Sequence, residues 1–215
     1  RSRTRALMLL ASVVLMGSAC SHGPSHPASG HAGFASPART TVPRTHQHRN
    51  GGPLADAPAG LVRPLHFPSI AGGPCPASHG DQLSNPIGGS MALGAGPVRV
   101  GIDNAGDPRK GTVHPAGYQG WLALKTHFVS LPSYRGPFLV RARRLDRPGP
   151  IALGPTPTQA GPLVVPAGAA ANAAAGWREF PYFTFVRSPG CYAWQIDGLT
   201  FSDIVVVHVL SKYHA

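Results

Sequence analysis

From Gly73 onward this sequence predicts an all-β domain, a sandwich or barrel of antiparallel strands. Three observations carry that expectation. Short β-like runs recur at intervals of roughly 8 to 15 residues, separated by Gly, Pro, Asn and Asp, which is the rhythm of such folds. Several of the runs alternate with period two. Charged residues make up only 13% of the chain, about half of what a Glu- and Lys-rich helical bundle carries.

The runs are Pro97 to Ile102, Gly120 to Lys125, His127 to Leu131, Pro137 to Arg143, Leu163 to Val165, Pro181 to Val186, Cys191 to Ile196 and Asp203 to Leu210. In the fourth, Phe138, Val140 and Ala142 share one face while Leu139, Arg141 and Arg143 share the other, giving one buried face and one face toward water. In the seventh, Tyr192, Trp194 and Ile196 alternate with Cys191, Ala193 and Gln195, and Trp194 is the strongest core candidate. The run at 204–209 has little polarity on either face and reads as a central strand. Asp197-Gly198 between the last two runs predicts a type I′ hairpin, because that turn needs positive φ at both central residues. The two strands are expected to pair antiparallel.

Ahead of this domain lie two segments of different texture. Arg1 to Arg5 is basic and Ala6 to Met16 is apolar, which reads as residues 1–19 of a bacterial export signal. Eleven apolar residues span about 16 Å as a helix, roughly half the hydrocarbon thickness of a bilayer, so a permanent membrane span is disfavoured. Gly17-Ser18-Ala19-Cys20 followed by an abruptly polar stretch resembles a lipobox. That resemblance implies cleavage before Cys20 and attachment of acyl chains to its thiol, giving a lipid-anchored protein on the extracytoplasmic side; the alternative is cleavage to a freely secreted chain. Several acyl chains make attachment durable at about 0.8 kcal/mol per buried CH₂. Residues 20–73 lack any hydrophobic period and are dominated by Pro, Gly, Ser, Thr, Ala and His, predicting a disordered tether before a domain over 74–212.

The formal charge is +11. It is spread over signal, tether and domain, which argues against a specific nucleic-acid partner and fits proximity to anionic headgroups or wall polymers. The tether histidines include His46 and His48, whose His-x-His spacing offers two imidazole nitrogens to a metal. No carboxylate or cysteine stands at ligand spacing beside them, and a disordered chain loses entropy on closing around an ion. They remain weak metal candidates, and no cofactor is expected.

With Cys20 assigned to lipid, Cys75 and Cys191 are left as a pair in an oxidising compartment, and a disulfide is expected. Two unpaired buried thiols and a Cys-His catalytic pair are the alternatives.

Two blocks then carry a family resemblance. Residues 125–153 contain Tyr134-Arg-Gly136 and Arg143-Arg144-Leu145-Asp146, and residues 180–209 contain Pro189-Gly190-Cys191-Tyr192, after an opening Cys75-Pro76. The chain resembles a family of small uncharacterised bacterial extracytoplasmic proteins over about residues 74 to 210. The resemblance implies a single Ig-like β-sandwich and an envelope location, and it supplies no catalytic residue.

No enzyme motif is complete. Gly88-Gly-Ser-Met-Ala92 fails as a nucleophile elbow, and His-Glu-x-x-His and Cys-x-x-Cys do not occur. Glu179 is the only glutamate among eight acids. Asp103, Asn104 and Asp107 could hold calcium weakly but more simply make a turn. Arg141 and Arg143 could bind an anion or simply be solvated edge residues. His208 reads as a core or interface residue rather than a ligand. Trp121, Trp177, Tyr182, Phe183, Tyr192 and Trp194 could line a carbohydrate or peptide groove, although in a sandwich most are expected in the core, and Trp177 beside the Ala/Gly-rich insertion is the one to consider as exposed. These features lead to an expected non-enzymatic envelope protein whose possible binding surface includes Trp177, Arg141 and Arg143. Its expected partner is an envelope polymer, a peptide or a protein. An orphan hydrolase and metal capture by the tether are the rival classes.

Overall fold

Period-two alternation in the sequence becomes two β-sheets packed face to face in the computed structural model, which describes residues 54, 57–70, 72–84 and 91–212. The signal segment, Cys20, His46 and His48 lie outside the described residues, as does most of the expected tether. No helix among the described residues is long and apolar enough to cross a membrane.

The strands in chain order are β1 (Gly80–Gln82), β2 (Met91–Leu93), β3 (Val98–Ile102), β4 (Ala105–Asp107), β5 (Thr112–His114), β6 (Ala116–Tyr118) and β7 (Trp121–Ser130). They continue with β8 (Phe138–Arg144), β9 (Ile151–Gly154), β10 (Leu163–Val165), β11 (Asn172–Ala174), β12 (Trp177–Val186), β13 (Gly190–Gly198) and β14 (Ser202–Val209). One sheet runs β1-β2-β3-β7-β12-β11, with β6 beside β7 and β9 beside β12; the other runs β10-β8-β13-β14-β5-β4. Every pairing is antiparallel except β14 with β5. Within this arrangement β3-β7-β12-β11 stand as strands A-B-E-D of an immunoglobulin-like sandwich and β14-β13-β8-β10 as G-F-C-C′, with β5 in the A′ place beside G. Tyr192 reinforces the assignment: near the start of strand F, its hydroxyl donates to the Ser188 carbonyl (2.7 Å), a tyrosine corner.

The core forms where the inner faces meet, from Val98, Val100, Leu124, Phe128, Phe138, Val140, Phe180, Tyr192, Trp194, Ile196, Val205 and Val207. Trp194 is fully buried, and its Nε1 donates across the core to Thr184 Oγ1 (3.1 Å), satisfying the indole N–H and tying the two sheets.

Three local expectations are corrected. The runs 120–125 and 127–131 are one ten-residue strand, β7. Thr126 keeps the inward parity of Leu122, Leu124 and Phe128, and its hydroxyl donates to the Tyr182 carbonyl (3.1 Å), so a polar residue continues the strand. The hairpin turn comes later than Asp197-Gly198: Asp197 pairs with Ser202 inside the ladder. Its buried carboxylate is engaged by Arg141, Gln195 and Ser202, which keeps it in the strand. Gly198 is required for a different reason, since a Cβ there would collide with the Phe201 ring.

The third correction is the end of the tether. Residues 61–70 and 72–78 lie as a strap over the outer face of the β8-β13-β14 sheet. The face of β8 expected toward water is therefore partly covered: Leu139 and Leu61 are fully buried, Arg141 is half-buried and only Arg143 is exposed. Arg141 Nη2 donates to the Arg63 carbonyl (2.6 Å), Gln195 Nε2 to the Pro64 carbonyl (2.9 Å), and the His66 amide to Gln195 Oε1 (2.8 Å). Phe67 and Ile70 then pack on Cys191, Ala193 and Val206, and the Ser78 amide reaches the Val206 carbonyl (2.9 Å). The polar composition that suggested disorder docks here because the sheet presents buried polar partners to it.

Cys75 and Cys191 are bonded, with Cα atoms 5.4 Å apart across 116 residues. The chain-entropy model assigns such a loop about 4.7 kcal/mol. Replacing both cysteines by serine is therefore expected to lower the unfolding free energy by several kcal/mol in urea denaturation; unchanged stability would contradict a structural clamp.

Candidate functional site

Two surfaces of the sandwich gather chemistry, and they differ in kind. The first is the outer face of the β3-β7-β12 sheet. Outward parity places Lys125 and His127 on β7 and Glu179 on β12, with Asp103 just beyond β3. His127 Nδ1 lies 2.5 Å from Glu179 Oε1 and its Nε2 2.6 Å from Asp103 Oδ2. Asn172 Nδ2 donates to Glu179 Oε2 (2.9 Å) and Lys125 Nζ to Asp103 Oδ2 (3.0 Å). When both carboxylates are ionised, only an imidazolium can donate to both. Burial opposes ionisation of Asp103, but the hydrogen bonds and charges of Lys125 and His127 outweigh it and hold its carboxyl below the usual aspartate range.

This Asp-His-Glu row has the composition of a charge relay without its end. Both imidazole nitrogens are taken up by carboxylates, and neither bonds a hydroxyl or thiol. Among the described residues no group of three His, Cys, Asp or Glu is placed to hold a metal ion. Asn104 works locally, receiving the Lys125 amide (2.8 Å), and Asp107 caps a single 3-10 turn at Pro108–Lys110.

The second surface is one edge of the sandwich. Along β12, β9 runs beside Phe183–Val186 and β11 beside Trp177–Glu179, both on the side away from β7. The interval between them opens a cleft of about 320 Å³ lined by Phe180, Pro181, Tyr182 and Phe183 and, from β10, by Leu163 to Val165. On the other sheet, β10 accompanies β8 only along Phe138–Val140, so the next residues, Arg141 and Ala142, lie past its end. A second cleft of about 430 Å³ opens there, walled by Arg141, Ala142, Ile151, Leu153 and Pro162 and flanked by Leu65 of the strap. Leu54 and Leu65 at this cleft are 39% and 51% exposed. The loop at residues 155–162 divides the two clefts. It folds tightly onto β9: the Gly161 amide donates to the Leu153 carbonyl (2.9 Å), and a Cβ at Gly154 would collide with the Gln159 carbonyl. Both volumes fall in the range of small-ligand sites, roughly 300 to 1,000 Å³.

Of the residues singled out in the sequence, Arg141, Tyr182 and Phe183 reach this edge. Trp177 is half-buried at the start of β12, and Arg143 is exposed on the outer face of β8. The Arg144-Asp146 pair is structural: Arg144 Nε and Nη2 donate to both Asp146 oxygens (2.8 and 2.9 Å), its Nη1 to Ser188 Oγ (2.6 Å), and its guanidinium lies over Tyr192. Tyr134 accepts the Leu199 amide on its hydroxyl (3.1 Å), and buried Arg178 donates to the Tyr134 and Gly136 carbonyls. His127, and the cleft residues Ile151, Leu153, Pro162 and Phe180, have no local sequence signal as a site; only the register of three short strands assembles them. Comparison with protein-family models, curated proteins and solved structures finds no match to this chain.

The depressed Asp103 carboxyl makes a pH prediction. Its stabilisation is present above the ordinary aspartate pKa near 4 and is lost as pH falls through the lower folded value. The stability gap between the protein and Asp103→Asn, measured by urea denaturation, should be positive at pH 6 and shrink as pH falls below the ordinary aspartate range; a gap independent of pH would contradict it.

Proposed function

We propose that this chain is a lipid-anchored bacterial envelope protein, carried through Cys20 on the extracytoplasmic side of the cell membrane. Its immunoglobulin-like sandwich is a non-catalytic binding module belonging with the small extracytoplasmic proteins it resembles. The observation that carries the reading is the open edge: two apolar clefts of ligand size flank a tightly held loop, and no complete catalytic constellation stands beside them among the described residues. The Cys75–Cys191 bond supports an oxidising compartment, where disulfides form and persist. The tripartite signal and the small residues before Cys20 support export and acylation.

The rival hydrolytic reading has its best material in Asp103, His127 and Glu179. A general base there would need an imidazole nitrogen directed at a nucleophile or water, and both nitrogens are committed to carboxylates. The geometry therefore favours binding over acyl transfer. Metal capture by His46 and His48 draws no support from the described residues, outside which both lie.

Two measurements test the proposal. The full chain expressed in a bacterium should partition into detergent, and Cys20→Ala should move it to the aqueous phase; a membrane-bound Cys20→Ala of unchanged size would overturn the anchor. Hydrogen exchange of the full chain with solubilised envelope should protect residues 151–166 and 180–183. Unchanged exchange along that edge would overturn the binding module.

A further inference from the structure

The strap carries a surface of its own, on the side turned away from the sheet. Of the five large hydrophobic residues that stand exposed among the described residues, four lie on it or beside it: Leu54, Val62, Leu65 and Leu199, each between 39% and 51% exposed. They are neighbours. Leu54 and Leu65 line one cleft, and Arg63, between Val62 and Leu65, donates to the Leu199 carbonyl (2.8 Å). The Leu199 side chain, at the tip of the β13-β14 hairpin, stands 4.0 Å from where a Cβ on Gly60 would sit. Alternation along the strap makes the row, since Leu61 turns into the protein and is fully buried while Val62 is left outside. A single exposed leucine is ordinary, but an apolar cluster on one side of a molecule marks a contact surface.

The charge around this patch has one sign. On the strap and on the outward rows of β8, β13 and β14, Asp197 is the only carboxylate, and it is buried and paired with Arg141. No ion pair to a described residue holds Arg63 or Arg143: Arg63 donates to the Gly198 and Leu199 carbonyls, and Arg143 is exposed. Exposed apolar side chains beside uncompensated cations make up a surface that suits the interface of an anionic bilayer. The position of the patch in the chain selects the same partner. Residues 21–53 join Leu54 to Cys20, and even fully extended, at about 3.5 Å per residue, they keep the patch within about 120 Å of an acylated Cys20. Docking is then an intramolecular step, and a patch too weak to hold a free protein on a bilayer suffices. We propose that Leu54, Val62, Leu65 and Leu199, with Arg63 and Arg143 beside them, dock the sandwich onto an anionic lipid bilayer. The inference rests on the anchored reading of the chain and adds an orientation to it. Because Leu54 and Leu65 also line the cleft beside Arg141, docking sets that cleft against the lipid.

The test uses the full disulfide-bonded chain on lipid nanodiscs of phosphatidylcholine, alone or mixed equally with phosphatidylglycerol, each carrying a spin-labelled lipid that broadens nearby amide signals. On mixed discs the broadening should centre on residues 60–66 and Leu199, at least tenfold above that at Phe183, the exposed aromatic of the other sheet. It should fall at least threefold on pure phosphatidylcholine, and also in high salt, which screens exposed charges. The triple variant Val62→Ser, Leu65→Ser, Leu199→Ser should lose the broadening at least tenfold at unchanged Tm, because all three side chains are already exposed. Arg143→Glu should cut the preference for phosphatidylglycerol at least threefold. Attachment through Cys20 or through residues 1–19 is common to the protein and its variants, so the difference between them reports the patch alone. Broadening spread evenly over the surface, broadening centred on Phe183, or a triple variant broadened like the parent would overturn the docking face. Concentration-dependent dimerisation that the triple variant loses would give the patch to a second copy and overturn it too. Should Cys20→Ala free the chain from the membrane while the patch of the parent is never broadened, the docking falls and the anchor stands. Should Cys20 prove unacylated while mixed discs still broaden residues 60–66, the anchor falls and the patch stands.

Discussion

The outer face of strand F sets the constraint on which the rest of the molecule depends. Cys191, Ala193, Gln195 and Asp197 point away from the core, yet each is buried. A buried carboxylate and amide on the outside of a sheet demand a cover that both excludes water and returns their hydrogen bonds. The strap does both, through the Arg63 and Pro64 carbonyls, the His66 amide and the packing of Phe67 and Ile70. Cys75–Cys191 fixes where the strap ends on the sheet. With this face closed, the surfaces left for recognition are the outer face of the other sheet and the edge where β9, β10 and β11 are short.

The motifs behind the family resemblance all serve this frame. Arg144 and Asp146 close on Ser188, the Pro189 carbonyl and Tyr192 at the turn into strand F. Tyr134 joins the turn before β8 to the tip of the last hairpin, packed edge-on against Phe201 at 5.0 Å, and the Gly136 carbonyl receives Arg178. Such residues report a fold because removing any of them leaves buried donors or a cavity. They say nothing of a ligand.

Legibility in the sequence follows the same division. Parity placed Phe138, Val140 and Ala142 inward and Arg141 and Arg143 outward, and it placed Tyr192, Trp194 and Ile196 in the core, because a one-residue slip would expose a whole apolar row. The cysteine pair was legible from chemistry alone. The strands β1, β2, β4 to β6, β9 and β11 were not, since three or four residues, most of these runs with a Gly, Asp or Asn, carry too little period to stand out from turns. The open edge is defined by where those short strands stop, a long-range property of register. For the same reason Arg141 was visible as an outward cation while its buried Nε and its partners Asp197 and Arg63 were not.

Since the strap decides which surfaces remain available, the most direct measurement compares thermal unfolding of the chain begun at residue 54 with the chain begun at residue 74. Both retain Cys75 and Cys191. Removing Leu61, Arg63, Pro64 and His66 uncovers Gln195 and Asp197, and the shorter chain should melt at least about 5 °C lower, the shift expected for a loss of about 2 kcal/mol in a domain of this size. Equal melting temperatures would contradict a strap that is part of the folded sandwich.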